Sequence, residues 1–112
     1  MHLTRIIEKP ITHAEACELA RQGYGDMVKG VVDIEREIIA LGGEWHMDAN
    51  LKLIEHGSVQ SAVWGFNFYP EGSRIEYTSL INIRPAQGNR KIEIQDVLLK
   101  KKMEQIIRKH II

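Results

Sequence analysis

Residues 63–84 have the sequence Val-Trp-Gly-Phe-Asn-Phe-Tyr-Pro-Glu-Gly-Ser-Arg-Ile-Glu-Tyr-Thr-Ser-Leu-Ile-Asn-Ile-Arg, which decides how the fold is predicted. Aromatic and β-branched residues alternate with small or polar ones, and this is the period of a β-strand. The intervening Glu71-Gly72-Ser73 is typical of a tight turn. We therefore predict two consecutive antiparallel strands, at residues 63–70 and 74–84.

Residues 45–54 also alternate between apolar and polar side chains, beginning with Trp45 and His46. This pattern favours a strand, which would complete a three-stranded meander with the two strands above. The alternative is a short helix at residues 49–56, capped by Asp48 and closed by Gly57.

Three helices are predicted in the rest of the chain. Thr12 and Glu15 form a capping-box sequence for a helix that ends near Gln22. A second helix is predicted at residues 27–41 because its apolar residues recur every three or four positions. These apolar positions of the second helix are Met27, Val31, Ile34, Ile38 and Leu41. The third helix is predicted at residues 93–110.

The order of these elements predicts an α+β fold in a single domain, residues 1–112. Its sheet would be a three-stranded antiparallel meander, with residues 3–8 as a candidate fourth strand. The three helices would cover one face of the sheet, which leaves the other face polar and open to ligands.

The 112 residues carry no net charge, but the charge is unevenly distributed. Residues 1–83 contain seven Lys/Arg and twelve Asp/Glu, whereas residues 84–112 contain eight and three. No apolar run is long enough to span a membrane and no signal peptide is recognisable, so we predict a cytoplasmic protein. The single cysteine, Cys17, is interpreted as a packing residue on a buried helix face.

Several short sequences add a family resemblance, among them Gly42-Gly43-Glu44, Trp64-Gly65, Tyr69-Pro70 and Ile81-Asn82-Ile83-Arg84-Pro85. With these the chain resembles a small family of uncharacterised prokaryotic proteins, a domain of unknown function, over nearly its whole length. The resemblance implies an independent single-domain protein without an assigned activity. It carries over no catalytic residues.

Polar side chains on the predicted open face and in the loop after Pro85 form the first candidate site. An arginine fork supported by amides can recognise an anion or a carboxylate. The alternative is structural: the arginine pairs with a glutamate and the amides satisfy the loop backbone. The candidate ligand-binding residues are Asn67, Asn82, Arg84, Gln87, Asn89 and Arg90.

His46 and Asp48 form the second candidate site, because residues two apart on a strand lie side by side and this pair could transfer protons. No spacing motif indicates a metal or another cofactor, and we predict none. The basic segments 100–102 and 108–109 could contact phosphates, but zero net charge disfavours nucleic-acid binding.

We therefore predict a small binding or interaction module that recognises an anion or carboxylate and forms a homodimer. The dimer would form through the apolar surface of residues 27–41 or through a sheet edge. One alternative is an enzyme acting on an anionic or phosphorylated substrate through His46 and Asp48. Another is a regulator associated with nucleic acid through the C-terminal helix.

Overall fold

The structure is a computed structural model, and it describes residues 3–112. Its five strands are β1 (Thr4–Ile7), β2 (Val28–Asp33), β3 (Ile38–Gly42), β4 (Val63–Tyr69) and β5 (Arg74–Glu76). Its three α-helices are α1 (His13–Gln22), α2 (His46–Glu55) and α3 (Val97–His110). The α+β class is confirmed. None of the helices within residues 3–112 is long and apolar enough to span a bilayer.

The strands form one antiparallel sheet in the order β1-β3-β2-β4-β5. At its centre, β2 and β3 form a hairpin. The turn begins at Asp33, whose Oδ1 accepts hydrogen bonds from the backbone N–H groups of Glu35 and Arg36, both at 2.9 Å. Glu37 completes the turn with a positive φ of 55°.

The predicted helix at residues 27–41 is wrong, because this segment forms the β2–β3 hairpin. Val28 and Val32 lie on one face of the sheet, and Val31 lies on the other. Both faces are covered, so apolar residues occur in runs and coincide with a helical spacing. Val31, Ile38 and Leu41 are buried within the sheet, whereas Met27 and Ile34 are partly exposed, and a dimer formed through this segment remains a prediction. A dimer formed through a sheet edge remains a prediction.

Helices cover both faces of the sheet, so the prediction of one open polar face is also wrong. The first face carries the larger core, which α1 and α3 cover. Helix α2 covers the second face. The first core includes Leu19, Val32, Leu41, Phe66, Phe68, Met103 and Ile107. The second consists of Val31, Ile38, Ala40, Ala49, Leu53 and Val63.

The strand predicted at residues 45–54 is helix α2, so the alternative had the correct type of element. Its buried residues are His46, Ala49, Asn50 and Leu53, which follow the helical period. The apparent alternation arose because Met47 and Leu51 are exposed, at 45% and 52%. Asp48 stabilises the helix start, where its Oδ2 accepts hydrogen bonds from the N–H groups of Glu44 and Trp45.

The strand predicted at residues 74–84 ends at Glu76. A 3₁₀ turn at Leu80–Asn82 follows and packs against Gly65 on β4. The other elements are confirmed: the strand within residues 3–8, α1 with its Thr12 capping box, β4 and the C-terminal helix. Asp96 caps that helix, which therefore begins four residues later than residue 93.

Candidate ligand-binding cleft

Asn82 is fully buried against strand β4 and is held by main-chain groups. Its Oδ1 accepts a hydrogen bond from the Gly65 N–H at 2.8 Å, and its Nδ2 donates to the Gly65 carbonyl at 3.0 Å. Strand β5 pairs with β4 only from Asn67 onwards. The amide of Asn82 therefore takes the place of a neighbouring strand at Gly65.

Arg84 donates to main-chain carbonyls. Its Nε donates to Ile81 at 3.0 Å, its Nη1 donates to Gln60 at 2.8 Å, and its Nη2 donates to Val63. The guanidinium also lies 4.2 Å from the centre of the Trp64 ring. Burial lowers the pKa of Arg84. Within residues 3–112 no carboxylate oxygen lies within 4.0 Å of it.

The neighbouring amides also bind the backbone. Gln87 Nε2 donates to the Ser61 carbonyl at 3.0 Å. Asn89 Nδ2 donates to the carbonyls of Asn82 and Lys91, both at 2.8 Å. These contacts match the structural alternative, except that Arg84 has carbonyl partners and not a glutamate. Ligand binding by this loop, including the exposed Arg90, remains a prediction.

A cleft of about 550 Å³ lies elsewhere, between the start of α2, strand β4 and residues 78–81. Most of its wall is apolar, and several of its apolar side chains are exposed. Trp45 is 63% exposed and Leu80 is 78% exposed. The lining residues are Lys29, Trp45, His46, Met47, Asn67, Thr78, Ser79, Leu80, Ile81 and Ile92.

Two polar residues of the cleft, Lys29 and Asn67, belong to a row of three that crosses the sheet. Lys29 on β2 lies directly opposite Asn67 on β4, and Asn67 lies directly opposite Glu76 on β5. Directly opposed residues project from the same face of a sheet. The row therefore runs from a cation through an amide to an anion.

Asn67 has one half of its amide paired and the other half unpaired. Its Nδ2 donates to Glu76 Oε1 at 2.8 Å, and a carboxylate oxygen can only accept, which fixes the orientation of the amide. Its Oδ1 is buried and has no hydrogen-bond partner within the described part of the chain. The residue is 7% exposed. The cleft thus has a buried acceptor in its wall.

His46 lines the same cleft from the first turn of α2. Its Nε2 lies 2.9 Å from the Phe66 carbonyl, which can only accept, so Nε2 carries the proton of the neutral ring. Burial lowers the pKa of His46, and the positive charge of Lys29 lowers this pKa further. The hydrogen bond to the Phe66 carbonyl and the negative charge of Glu76 act in the opposite direction and raise it. The Asn67 amide lies near enough to favour the protonated ring, although the two side chains lack hydrogen-bond geometry.

Lys29 is half-buried and forms no ion pair within 4.0 Å in the described range 3–112. Its ammonium lies 5.1 Å from the centre of the Tyr24 ring. Burial lowers the pKa of Lys29, and Glu76 opposes that effect. The cleft therefore contains a cation whose charge is only partly compensated.

The structure brings His46 and Asn67 to one cleft and gives Asp48 a separate role at the helix start. The side-by-side arrangement on a strand that suggested a His46/Asp48 pair is absent, but a catalytic role for either residue remains a prediction. Sequence reasoning missed Lys29 and Glu76. Lys29 was assigned to a helix, so its position opposite Asn67 could not be inferred.

Cys17 is half-buried, and its neighbour on α1 is a histidine. The Sγ lies 3.7 Å from His13 Nδ1, and His13 Nε2 lies 2.6 Å from the Pro70 carbonyl. The histidine thus joins α1 to the end of β4. Among residues 3–112, no group of three His, Cys, Asp or Glu side chains is arranged to hold a metal ion.

Comparison with known proteins identifies a family for this chain. No curated protein and no solved structure matches this chain. A family model described as a protein of unknown function (DUF5674) matches residues 5–110. This range includes all three helices and all five strands, apart from the first residue of β1. The chain therefore belongs to the DUF5674 family.

Proposed function

We propose that this protein is a binding module for a small ligand that has an apolar body and a carboxylate group. The ligand occupies the cleft between α2, β4 and residues 78–81. The observation that carries the proposal is the pair Lys29 and Asn67, which lie opposite each other on β2 and β4 and line a cleft whose wall is mostly apolar. Apolar clefts with a few convergent polar groups are the usual form of small-molecule sites.

The apolar wall supplies the driving force for binding. Trp45, Leu80 and Ile92 are exposed in the free protein, at 63%, 78% and 44%. Covering apolar surface contributes about 25 cal/mol per Å². An aromatic or branched aliphatic ligand would remove much of this surface from water at once.

Lys29 supplies the selectivity for an anion. A half-buried ammonium is poorly solvated, and a carboxylate of the ligand would compensate its charge. This assigns the predicted recognition of a carboxylate to a lysine of β2. Arg84 instead donates to three main-chain carbonyls.

The test is a titration of ¹⁵N-labelled protein with 3-phenylpropanoate, an apolar carboxylate, followed by NMR. We expect saturable shifts at Lys29, His46 and Leu80. Lys29→Met should weaken binding by about fivefold or more, because it removes a charge-assisted hydrogen bond and keeps the alkyl chain. The exposed Lys101→Met on α3 is the matched control and should bind normally. Shifts confined to other surfaces, or equal affinities of the two variants, would contradict the proposal.

A further inference from the structure

We infer that the ligand is a zwitterion, an apolar α-amino acid, whose ammonium group is held at Asn67, beside the negative charge of Glu76, and whose carboxylate is held at Lys29. This inference rests on the proposed function and specifies its ligand class. It follows from the order of charges along the polar row and from the unpaired oxygen of Asn67.

The first argument is the sign of the charges. Neighbouring strands lie about 4.8 Å apart, so Lys29 and Glu76 lie on either side of Asn67 at a distance of one strand each. A ligand bound over Asn67 therefore experiences a positive potential on one side and a negative potential on the other. A simple carboxylate gains from Lys29 but is repelled by Glu76, whereas a zwitterion gains from both.

The second argument is the free acceptor. One N–H of Asn67 Nδ2 donates to Glu76, and Asn67 Oδ1 is a buried acceptor with no partner in the described part of the chain. A buried acceptor is costly to leave unpaired, and only a donor can satisfy it. An ionised carboxylate has no donor, but an ammonium group has three. The unpaired Oδ1 therefore favours a ligand that carries an N–H group in addition to its carboxylate.

His46 lines the same cleft from the start of α2. Because its Nε2–H is donated to the Phe66 carbonyl, the other nitrogen of the neutral ring, Nδ1, carries a lone pair. The apolar side chain of the amino acid would lie against Trp45, Leu80 and Ile92.

Three related probes separate the contributions of the two charged groups: L-phenylalanine, 3-phenylpropanoate, which lacks the amine, and 2-phenylethylamine, which lacks the carboxylate. We expect L-phenylalanine to bind about tenfold more tightly than either analogue, since each analogue loses a charge-assisted contact. Equal or tighter binding of 3-phenylpropanoate at the cleft would overturn the zwitterion and leave the proposed function intact. If none of the three gives saturable shifts at the cleft, the proposed function fails as well.

The variant Glu76→Gln provides a second test with effects of opposite sign. Gln keeps an oxygen that can accept from Asn67 Nδ2, so the amide retains its orientation, but the negative charge is lost. We expect the affinity for L-phenylalanine to fall by about fivefold or more and that for 3-phenylpropanoate to stay equal or rise. Glu71→Gln, in the exposed turn after β4, is the control and should change neither. A parallel loss for both ligands in Glu76→Gln would overturn the inference.

Discussion

The side-chain amide of Asn82 forms two hydrogen bonds with the main chain of Gly65, one to its N–H and one to its carbonyl. Strand β5 is too short to reach this part of β4. The Asn82 amide therefore satisfies the Gly65 N–H and carbonyl, which a longer β5 would otherwise pair. The polar loop that follows Asn82 is thereby attached to the edge of the sheet, and the segment 78–81 is placed as one wall of the cleft.

Replacing Asn82 with Ala should destabilise the protein by about 2–4 kcal/mol, because both polar groups of Gly65 would be left buried and unpaired. Urea unfolding followed by circular dichroism measures the change. Gln105→Ala, on the exposed side of α3, is the control and should lie within about 0.5 kcal/mol of the wild type. A similar small change for Asn82→Ala would mean that water satisfies the Gly65 groups.

Gly65 itself must lack a side chain, because a Cβ there would lie 2.5 Å from the Cβ of Ser79. Gly65→Ala should therefore cost about 1–3 kcal/mol through steric overlap. Adding Ser79→Gly removes the nearest atoms and should recover part of the loss, whereas Ser79→Gly alone should not stabilise the protein. Comparison of the four unfolding free energies isolates the coupling between the two positions. Additive effects would contradict direct contact.

The β2–β3 hairpin shows why part of the fold could not be predicted from periodicity. Its residues satisfy a helical spacing only because a central hairpin with two covered faces is apolar almost throughout. The better signal was the density of β-branched residues, such as Val31-Val32 and Ile38-Ile39, on either side of a turn that begins with Asp33. Elements with one buried face, such as α3 and α1, were predicted correctly.

The candidate site was predicted only in part, for a related reason. Asn67 lies on a correctly predicted strand, and its side chain does line the cleft. Its partners on β2 and β5 depend on the register between strands, which a single sequence does not give. The loop amides Gln87 and Asn89 attracted attention because polar residues at a strand end suit a ligand, but they suit backbone pairing equally well.

Arg84→Lys should destabilise the protein by about 1–3 kcal/mol. A lysine cannot reproduce the fork that donates to the carbonyls of Ile81, Gln60 and Val63, and it stacks less well on Trp64. Urea unfolding monitored by Trp64 fluorescence in a Trp45→Phe background measures the loss. Arg90→Lys, at an exposed position in the same loop, is the matched control and should leave stability unchanged. Equal stability of Arg84→Lys and the control would contradict the structural role.

The stability of the protein should fall as the pH is lowered below the ordinary pKa of histidine. Burial lowers the pKa of His46 in the folded protein, so between that pKa and about 6.5 the unfolded chain binds more protons than the folded one. The stability that the protein gains from keeping His46 neutral is fully present above about pH 6.5. It is lost as the pH falls through the pKa of folded His46. Urea unfolding at pH 7.5 and at pH 5.5 measures the difference.

The variant His46→Gln assigns this pH dependence to one residue. Gln retains a donor for the Phe66 carbonyl but does not titrate, so the difference in unfolding free energy between the two pH values should shrink. His56→Gln is the control, because His56 lies exposed beside Glu8 at 3.4 Å and outside the cleft. If His56→Gln removed the difference and His46→Gln did not, the burial of the His46 imidazole would not be its source.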